Sequence, residues 1–270
     1  VSNNTVFVAF DVETTGLVPG VDRLVELAAI AFRGDEVLEG FSRLINPGVP
    51  LLPAASRLTG ITDDLLAGAP TAAAALPDFL CVLRRGTPVA HNAVFDVGFV
   101  CDELERAGLP APEGPVLDTR GLARRAFPGQ FSYGLANLAR ELKLVTPGAH
   151  RALADADSCR QLFQSCVGKL GNGEVLALAE LVGQSGPPLD FSAHAPRLPR
   201  TARLLRQAMA GGTMVDICYR SADGTLSSRR IKPLAFSLVG GGVAIVALCT
   251  LRNDTRTFFL NSITEARHAP

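Results

Sequence analysis

Three runs rich in β-branched, aromatic and leucine residues, Thr5–Phe10, Leu24–Phe32 and Val37–Ile45, follow one another with only short, glycine-bearing connections. Turn-bearing connections of this kind suggest that the runs pair as a three-strand antiparallel meander. The hydrophobic period then lengthens. Ala72–Arg84 reads as a helix whose start Pro77 obscures. Ala93–Arg106 repeats Ala93, Val97, Val100, Cys101 and Leu104 at helical spacing and stops at Gly108 and Pro110. Pro88–Ala90 is a short strand, and Tyr133–Leu142 and Arg151–Leu170 are two further helices. Strands first, then helices crossing to further strands, predict an α/β fold with a mixed sheet flanked by helices.

This pattern fills residues 1–170. Glycines and prolines crowd 171–200, which reads as a linker with one short helix near Glu174–Val182. From 201 to 270 a helix, Thr201–Ala210, precedes short strands at hairpin spacing: Val215–Tyr219, Ser228–Pro233, Val243–Cys249 and Thr257–Leu260. That arrangement suggests a small C-terminal β-barrel. Charge divides along the same line. The neutral whole joins a front of 15 basic and 19 acidic residues (Val1–Leu170) to a back of 11 basic and 7 acidic (Gly171–Pro270). Opposite signs in two segments suggest two modules with different tasks.

Several classes are excluded. An apolar content of 47% with 19% charged residues rules out a wholly disordered chain. The longest apolar run, Leu238–Leu251, is short of the roughly 18 residues of a membrane helix and is broken by Gly240, Gly241 and Gly242. No membrane partner is expected, and no secretion signal opens the chain, although Val1 leaves room for a trimmed leader. The six cysteines form no C-x-x-C pair and mostly sit among apolar neighbours, as buried thiols do in a reducing, bacterial-type cytoplasm. There is no G-x-S-x-G elbow and no G-x-x-x-x-G-K-[ST] loop, so neither acyl transfer nor ATP-driven work has support.

Four acidic signals remain. Asp11 and Glu13 close the first strand on one face, about 6–7 Å apart along it, while Val12 turns to the core. The Thr14-Thr15-Gly16 turn follows at once. Two carboxylates there form an oxygen-rich edge of the kind hard cations prefer. Asp96 stands near the start of the Ala93–Arg106 helix, where an acid also serves the helix dipole. His150 precedes the last long helix of the front and Asp155 falls in its second turn, about 7–8 Å further along the axis. Asp157 is rotated about 200° away from Asp155 and is set aside. Each signal alone has a plain structural explanation: a solvated loop, a helix cap, a surface histidine.

In combination the segments Phe10-Asp11-Val12-Glu13-Thr14-Thr15-Gly16-Leu17, His91-Asn92-Ala93-Val94-Phe95-Asp96 and His150-Arg151-Ala152-Leu153-Ala154-Asp155-Ala156 resemble the DEDDh 3′-to-5′ exonucleases of the proofreading-subunit type. Ile45-Asn46-Pro47-Gly48, Leu58-Thr59-Gly60-Ile61-Thr62, Leu117-Asp118-Thr119 and Tyr133-Gly134-Leu135-Ala136-Asn137-Leu138-Ala139 add support. The resemblance covers about residues 5–170 and implies an RNase H-like fold. It implies two Mg²⁺ or Mn²⁺ ions, with Asp11, Glu13 and Asp155 holding the tighter one, Asp11 shared, and Asp96 holding waters around them. His150 would be the general base, its usual pKa near ~6.5 suiting that task. Glu13 and Thr14, Thr15, Gly16 and Leu17 would seat the terminal nucleotide. Leu17 could wedge against the last base and Phe95 stack on a sugar or base, though core packing explains both equally well. His91 and Asn92 border the same site, where local loop hydrogen bonding is the stronger account of them.

The back segment resembles the WYL domain. The matching stretches are Tyr219-Arg220, Arg230-Ile231-Lys232-Pro233 and Cys249-Thr250-Leu251-Arg252-Asn253-Asp254-Thr255-Arg256-Thr257-Phe258. Where that family has its Trp-Tyr-Leu triplet this chain has Val243-Ala244-Ile245, which keeps a buried-strand pattern but drops two aromatic groups. Arg220, Arg230, Arg252 and Arg256 are candidates for contact with a nucleic-acid backbone or a nucleotide effector. The expected activity is metal-dependent 3′-to-5′ removal of nucleotides from single-stranded DNA or RNA ends, with a polymerase or repair partner. The alternative is a nucleic-acid- or nucleotide-binding regulator with a vestigial nuclease site. Four intact carboxylates and His150 favour the enzyme.

Overall fold

A computed structural model describes residues 5–145, 150–192, 200–239 and 242–269. They divide into two compact units. The first opens with the meander: β1 (Phe7–Thr14), β2 (Leu24–Arg33) and β3 (Glu36–Leu44), paired antiparallel. Three helices follow, α1 (Pro53–Thr59), α2 (Asp63–Leu66) and α3 (Ala72–Leu83), the last carrying Pro77 inside it. Then come β4 (Thr87–Ala90), α4 (Val94–Ala107), β5 (Leu117–Asp118), α5 (Thr119–Ala126), α6 (Leu135–Glu141), α7 (Ala152–Gly171) and α8 (Leu178–Ser185). The sheet order is β3-β2-β1-β4-β5, with β4 and β5 parallel to β1. The mixed sheet flanked by helices is the one expected.

The two-residue period of β1 decides which layer each residue meets. Val8, Phe10 and Val12 face the core built with α3 and α4. Phe7 and Ala9 face the other core, with Phe163 and Cys166 of α7. Asp11 and Glu13 continue that second face, so α7 is the helix laid over them. It can approach closely because its Ala152 and Ala156 pack on Ala28 and Ile30 of β2. Between α8 and the end of this unit, Phe191 is buried and stacks 5.9 Å from Phe10, so the described part of the 171–200 stretch packs into the core. Residues 193–199 of that stretch lie outside the described residues, as do Gly240 and Gly241 of the apolar run 238–251.

The second unit comprises Thr15–Arg23, Pro50–Leu52 and the chain from α9 (Arg200–Gly211) onward. Its strands are β6 (Val215–Arg220), β7 (Leu226–Val239), β8 (Gly242–Cys249), β9 (Asp254–Phe259) and β10 (Ile263–His268). The expected barrel is corrected: the strands form an open antiparallel sheet in the order β10-β6-β7-β8-β9. Closure requires β9 to pair with β10, and among the described residues it does not. Instead α9 packs on β7 and β10 and supplies Leu205 and Ala208 to the core with Ile217, Ile231 and Phe258. A helix covering one face gives the sheet its buried layer without closing on itself.

Phe163 fixes α7 to the sheet, its ring 4.7 Å from Phe7 and 5.9 Å from Phe32. Phe163→Ala is expected to cost about 3–5 kcal/mol of stability, read as a lower midpoint in urea denaturation.

Candidate functional site

The site lies in the first unit, where α7 crosses the end of β1. One carboxylate oxygen from each of Asp11, Glu13 and Asp155 lies within 4.8 Å of the other two. The structure thus joins two residues of one strand face to a residue more than a hundred positions later. Asp155 sits in the first turn of α7, one turn earlier than the sequence suggests. Asp96, in the first turn of α4, is 2% exposed, and its Oδ1 accepts the Val12 N–H at 3.1 Å. That bond ties α4 to the backbone between Asp11 and Glu13. Asp157 bonds Arg160 and Gln161 on its own helix, away from the cluster.

Burial and mutual repulsion act on these acids together. Asp11 is pushed well above the usual carboxylate range, by desolvation first and then by Asp96, Asp155, Glu13 and Glu26. Glu13 rises from 4.5 to about 7, by desolvation and then by Asp155 and Glu26, with Arg151 opposing. Desolvation lifts Asp96 despite the Val12 bond, and lifts Asp155 despite its bond from His150. An all-oxygen carboxylate set of this kind fits a hard divalent cation, whose charge offsets the repulsion.

Sequence reasoning missed Glu26. It stands directly opposite Glu13 in the β1–β2 register and is 1% exposed. Its carboxylate accepts Arg151 Nε at 3.1 Å, Arg151 Nη2 at 2.8 Å and the Ala152 N–H at 3.0 Å. Arg151 is the N-cap of α7, so this clamp sets where the helix begins. The available signal was a lone acid inside an otherwise apolar strand. His150, next to the clamp, is exposed, has φ 63°, and donates its backbone N–H to Asp155 Oδ2 at 3.1 Å. The left-handed backbone turns the chain just before the helix.

The other candidates are placed as follows. His91 has both ring nitrogens on protein partners, Nδ1 to Thr119 Oγ1 and Nε2 to the Tyr133 carbonyl, each at 2.9 Å. A carbonyl only accepts, so Nε2 donates to Tyr133, while the Thr119 hydroxyl lies between Nδ1 and the Ala90 carbonyl, 3.3 Å away. Burial lowers the His91 pKa, with the Tyr133 carbonyl and Asp118 opposing. Asn92 donates its N–H to Asp118 and accepts from Arg120 Nη1, with φ 63°. Phe95 is partly buried against Phe99, 4.9 Å away. Thr14 ends β1, while Thr15, Gly16 and Leu17 belong to the second unit, Leu17 being 58% exposed.

In the second unit the four arginines are dispersed. Arg220 ends β6, Arg252 lies in the β8–β9 turn and Arg256 is on β9, all exposed. Arg230 makes a two-pronged pair with Asp216, at 2.7 and 2.9 Å. Of the four, only Arg230 lines the open depression of about 350 Å³ where Arg229 and Arg267 also stand.

Comparison with known proteins agrees with this geometry. The Exonuclease family profile matches residues 8–163 and the WYL domain profile matches residues 200–268. The chain is 37% identical over 169 residues to the DNA polymerase III subunit epsilon of Treponema pallidum, covering 62% of this chain and 79% of that one. It is 40% identical over 157 residues to the PolC-type DNA polymerase III of Bacillus cereus, covering 58% of this chain but only 11% of that one. The chain therefore spans about a tenth of the PolC-type relative. The crystallographic structure of the nuclease domain of 3′hExo, a DEDDh family member bound to rAMP, superimposes with a TM-score of 0.55 at 16% identity, over 65% of this chain and 96% of that one, a likeness of fold.

Two outcomes follow from the electrostatics. Because the folded pKa of Glu13 is raised, its contribution to stability is fully present below 4.5 and is lost as pH climbs through about 7. In chelator, Glu13→Gln should therefore stabilise the protein relative to the native chain by a margin that grows across that window, measured by denaturant titration. Added Mn²⁺ should stabilise the native chain more above pH 7 than below pH 4.5. Glu26→Gln weakens the clamp on α7 and should lower stability by about 1–3 kcal/mol in the same titration.

Proposed function

Because the chain belongs to the Exonuclease family, we propose that this hydrolytic exonuclease removes nucleotides one at a time from the 3′ ends of single-stranded DNA or RNA, using two divalent cations. The observation that carries the reading is the convergence of Asp11, Glu13 and Asp155, with Asp96 bonded to the backbone between the first two. Those residues would hold the cations, Mg²⁺ or Mn²⁺, with Asp11 shared. When bound, such ions stabilise both the attacking and the leaving oxygen of an in-line phosphodiester displacement.

The chain's own groups do the rest. His150, exposed beside Asp155, would take the proton from the attacking water. Its neighbour Arg151 is held by Glu26, which keeps the start of α7 and hence Asp155 in register with β1. Glu13 and the turn Thr14–Leu17 would seat the terminal nucleotide, with the exposed Leu17 side chain against its base. Phe95, partly buried against Phe99, would stack on a sugar or base. Asn92 and His91 are engaged with Asp118, Arg120, Thr119 and Tyr133, and they would shape the floor of the site through those bonds. Two relatives are components of DNA polymerase III by name, which favours DNA ends and a polymerase or repair partner. Arg220, Arg230, Arg252 and Arg256 would add sequence-independent grip on phosphates or bind a nucleotide effector.

A 5′-labelled oligonucleotide, DNA and RNA in parallel, tests the reading. The native chain should produce a ladder that shortens from the 3′ end with Mg²⁺ or Mn²⁺ and stops with chelator. Asp11→Asn should abolish the ladder, and His150→Ala should slow it by about 10²–10⁴-fold. Binding without shortening would overturn the proposal in favour of a nucleic-acid-binding regulator.

A further inference from the structure

We propose that Arg206 of α9 is a positioning residue for the nuclease: through Asp22 it holds the Thr15–Arg23 loop in the one shape that seats the terminal nucleotide. The inference rests on the exonuclease reading above and adds a task for the C-terminal segment. Thr15–Arg23 continues β1 directly in the chain, yet it packs as part of the second unit. Its stem is closed by Thr15 N–H to the Arg23 carbonyl at 2.9 Å and Arg23 N–H to Thr15 Oγ1 at 3.0 Å. Val18, at its centre, is wholly buried with Ala202, Leu205 and Ala208 of α9, while its neighbour Leu17 is exposed.

Asp22 organises the loop from inside. It is 2% exposed, and its Oδ2 accepts the Val18 N–H at 3.1 Å. Its Oδ1 accepts Thr15 Oγ1 at 3.3 Å and Arg206 Nε at 3.0 Å. Arg206, 7% exposed, also reaches the Pro50 carbonyl at 3.5 Å, so one guanidinium joins two segments distant in sequence. Gly16 lies against the Asp22 carboxylate so closely that a Cβ there would collide with it, and that carboxylate is pinned on both oxygens. The turn residues that face a nucleotide therefore take their shape from Asp22, and Asp22 takes its charge partner from α9.

A buried ion pair with its remaining lone pairs satisfied fixes geometry more than it adds stability. Without Arg206 the loop keeps its backbone stem but loses the group that makes its centre rigid. A site formed only part of the time binds more weakly in proportion to that fraction. The reacting carboxylates are on other elements and keep their places. Loss of Arg206 should therefore raise KM with little change in kcat, and leave cation binding as it was.

The test uses the full chain with Arg206→Met and Arg206→Lys beside the native protein. KM and kcat are measured on a single-stranded DNA 3′ end, and Mn²⁺ binding alone is followed by electron paramagnetic resonance. The expected result is a KM raised roughly tenfold in Arg206→Met, as for a loop competent about a tenth of the time. The lysine variant should recover part of the loss, kcat should stay within about threefold, and Mn²⁺ affinity should match the native chain. A folded Arg206→Met with native KM overturns the inference, as does a matching loss of Mn²⁺ affinity. If that variant does not fold, Asp22→Asn, which keeps the shape and removes the charge, is measured in its place, and a native KM there overturns the inference equally. An inactive native chain would sink the exonuclease reading itself, a different result from an active native chain with an unaffected variant.

Discussion

Glu26 contributes no oxygen to the three-carboxylate cluster, yet the geometry of the first unit turns on its carboxylate. Buried in β2, it accepts three N–H groups from Arg151 and Ala152 at the point where α7 begins. A buried carboxylate left without such partners would be costly, so the helix start has one satisfactory location. The alanines behind it then let α7 settle on β2, and Asp155 comes down beside Asp11 and Glu13. Phe163 holds the later turns of α7 to the sheet, but at its first turns the contacting side chains, Ala152 and Ala156, are small, and there the Glu26 clamp sets the position.

The acidic cluster itself is electrostatically unfavourable as it stands. Each acid in it has its pKa raised by burial, and the neighbours add to the shift in Asp11 and Glu13. The local compensations, the Val12 N–H on Asp96, the His150 N–H on Asp155 and the Arg151 charge near Glu13, are too few to cancel it. Protons can fill that deficit at low pH and hard cations at high pH. A fold that spends stability in this way retains a strong affinity for positive charge at one spot, as the proposed phosphodiester hydrolysis would demand.

Much of this was legible in the sequence because the relevant signals are periodic. The alternation of β1 put Asp11 and Glu13 on one face, and the sequence of strand and helix patterns predicted the meander and the helix over it. Glu26 was not legible, since an acid in the apolar run 24–32 looks like an irregularity until its partner, 125 positions away, is known. The open C-terminal sheet was missed for a related reason: the exposure of β10 alternates too little to mark it as a strand, so the count of strands invited closure. Arg206 reads as a surface residue on an amphipathic helix. Only the structure shows it buried against Asp22.

The partnership between Arg206 and Asp22 spans 184 residues of sequence. A ribosome would release the loop early and its clamp late, after every element of the nuclease half has emerged. During that interval Asp22 has no cation to meet, and Gly16 is not yet pressed against a fixed carboxylate. A chain that ended before α9 would keep Asp22 without its charge partner for good.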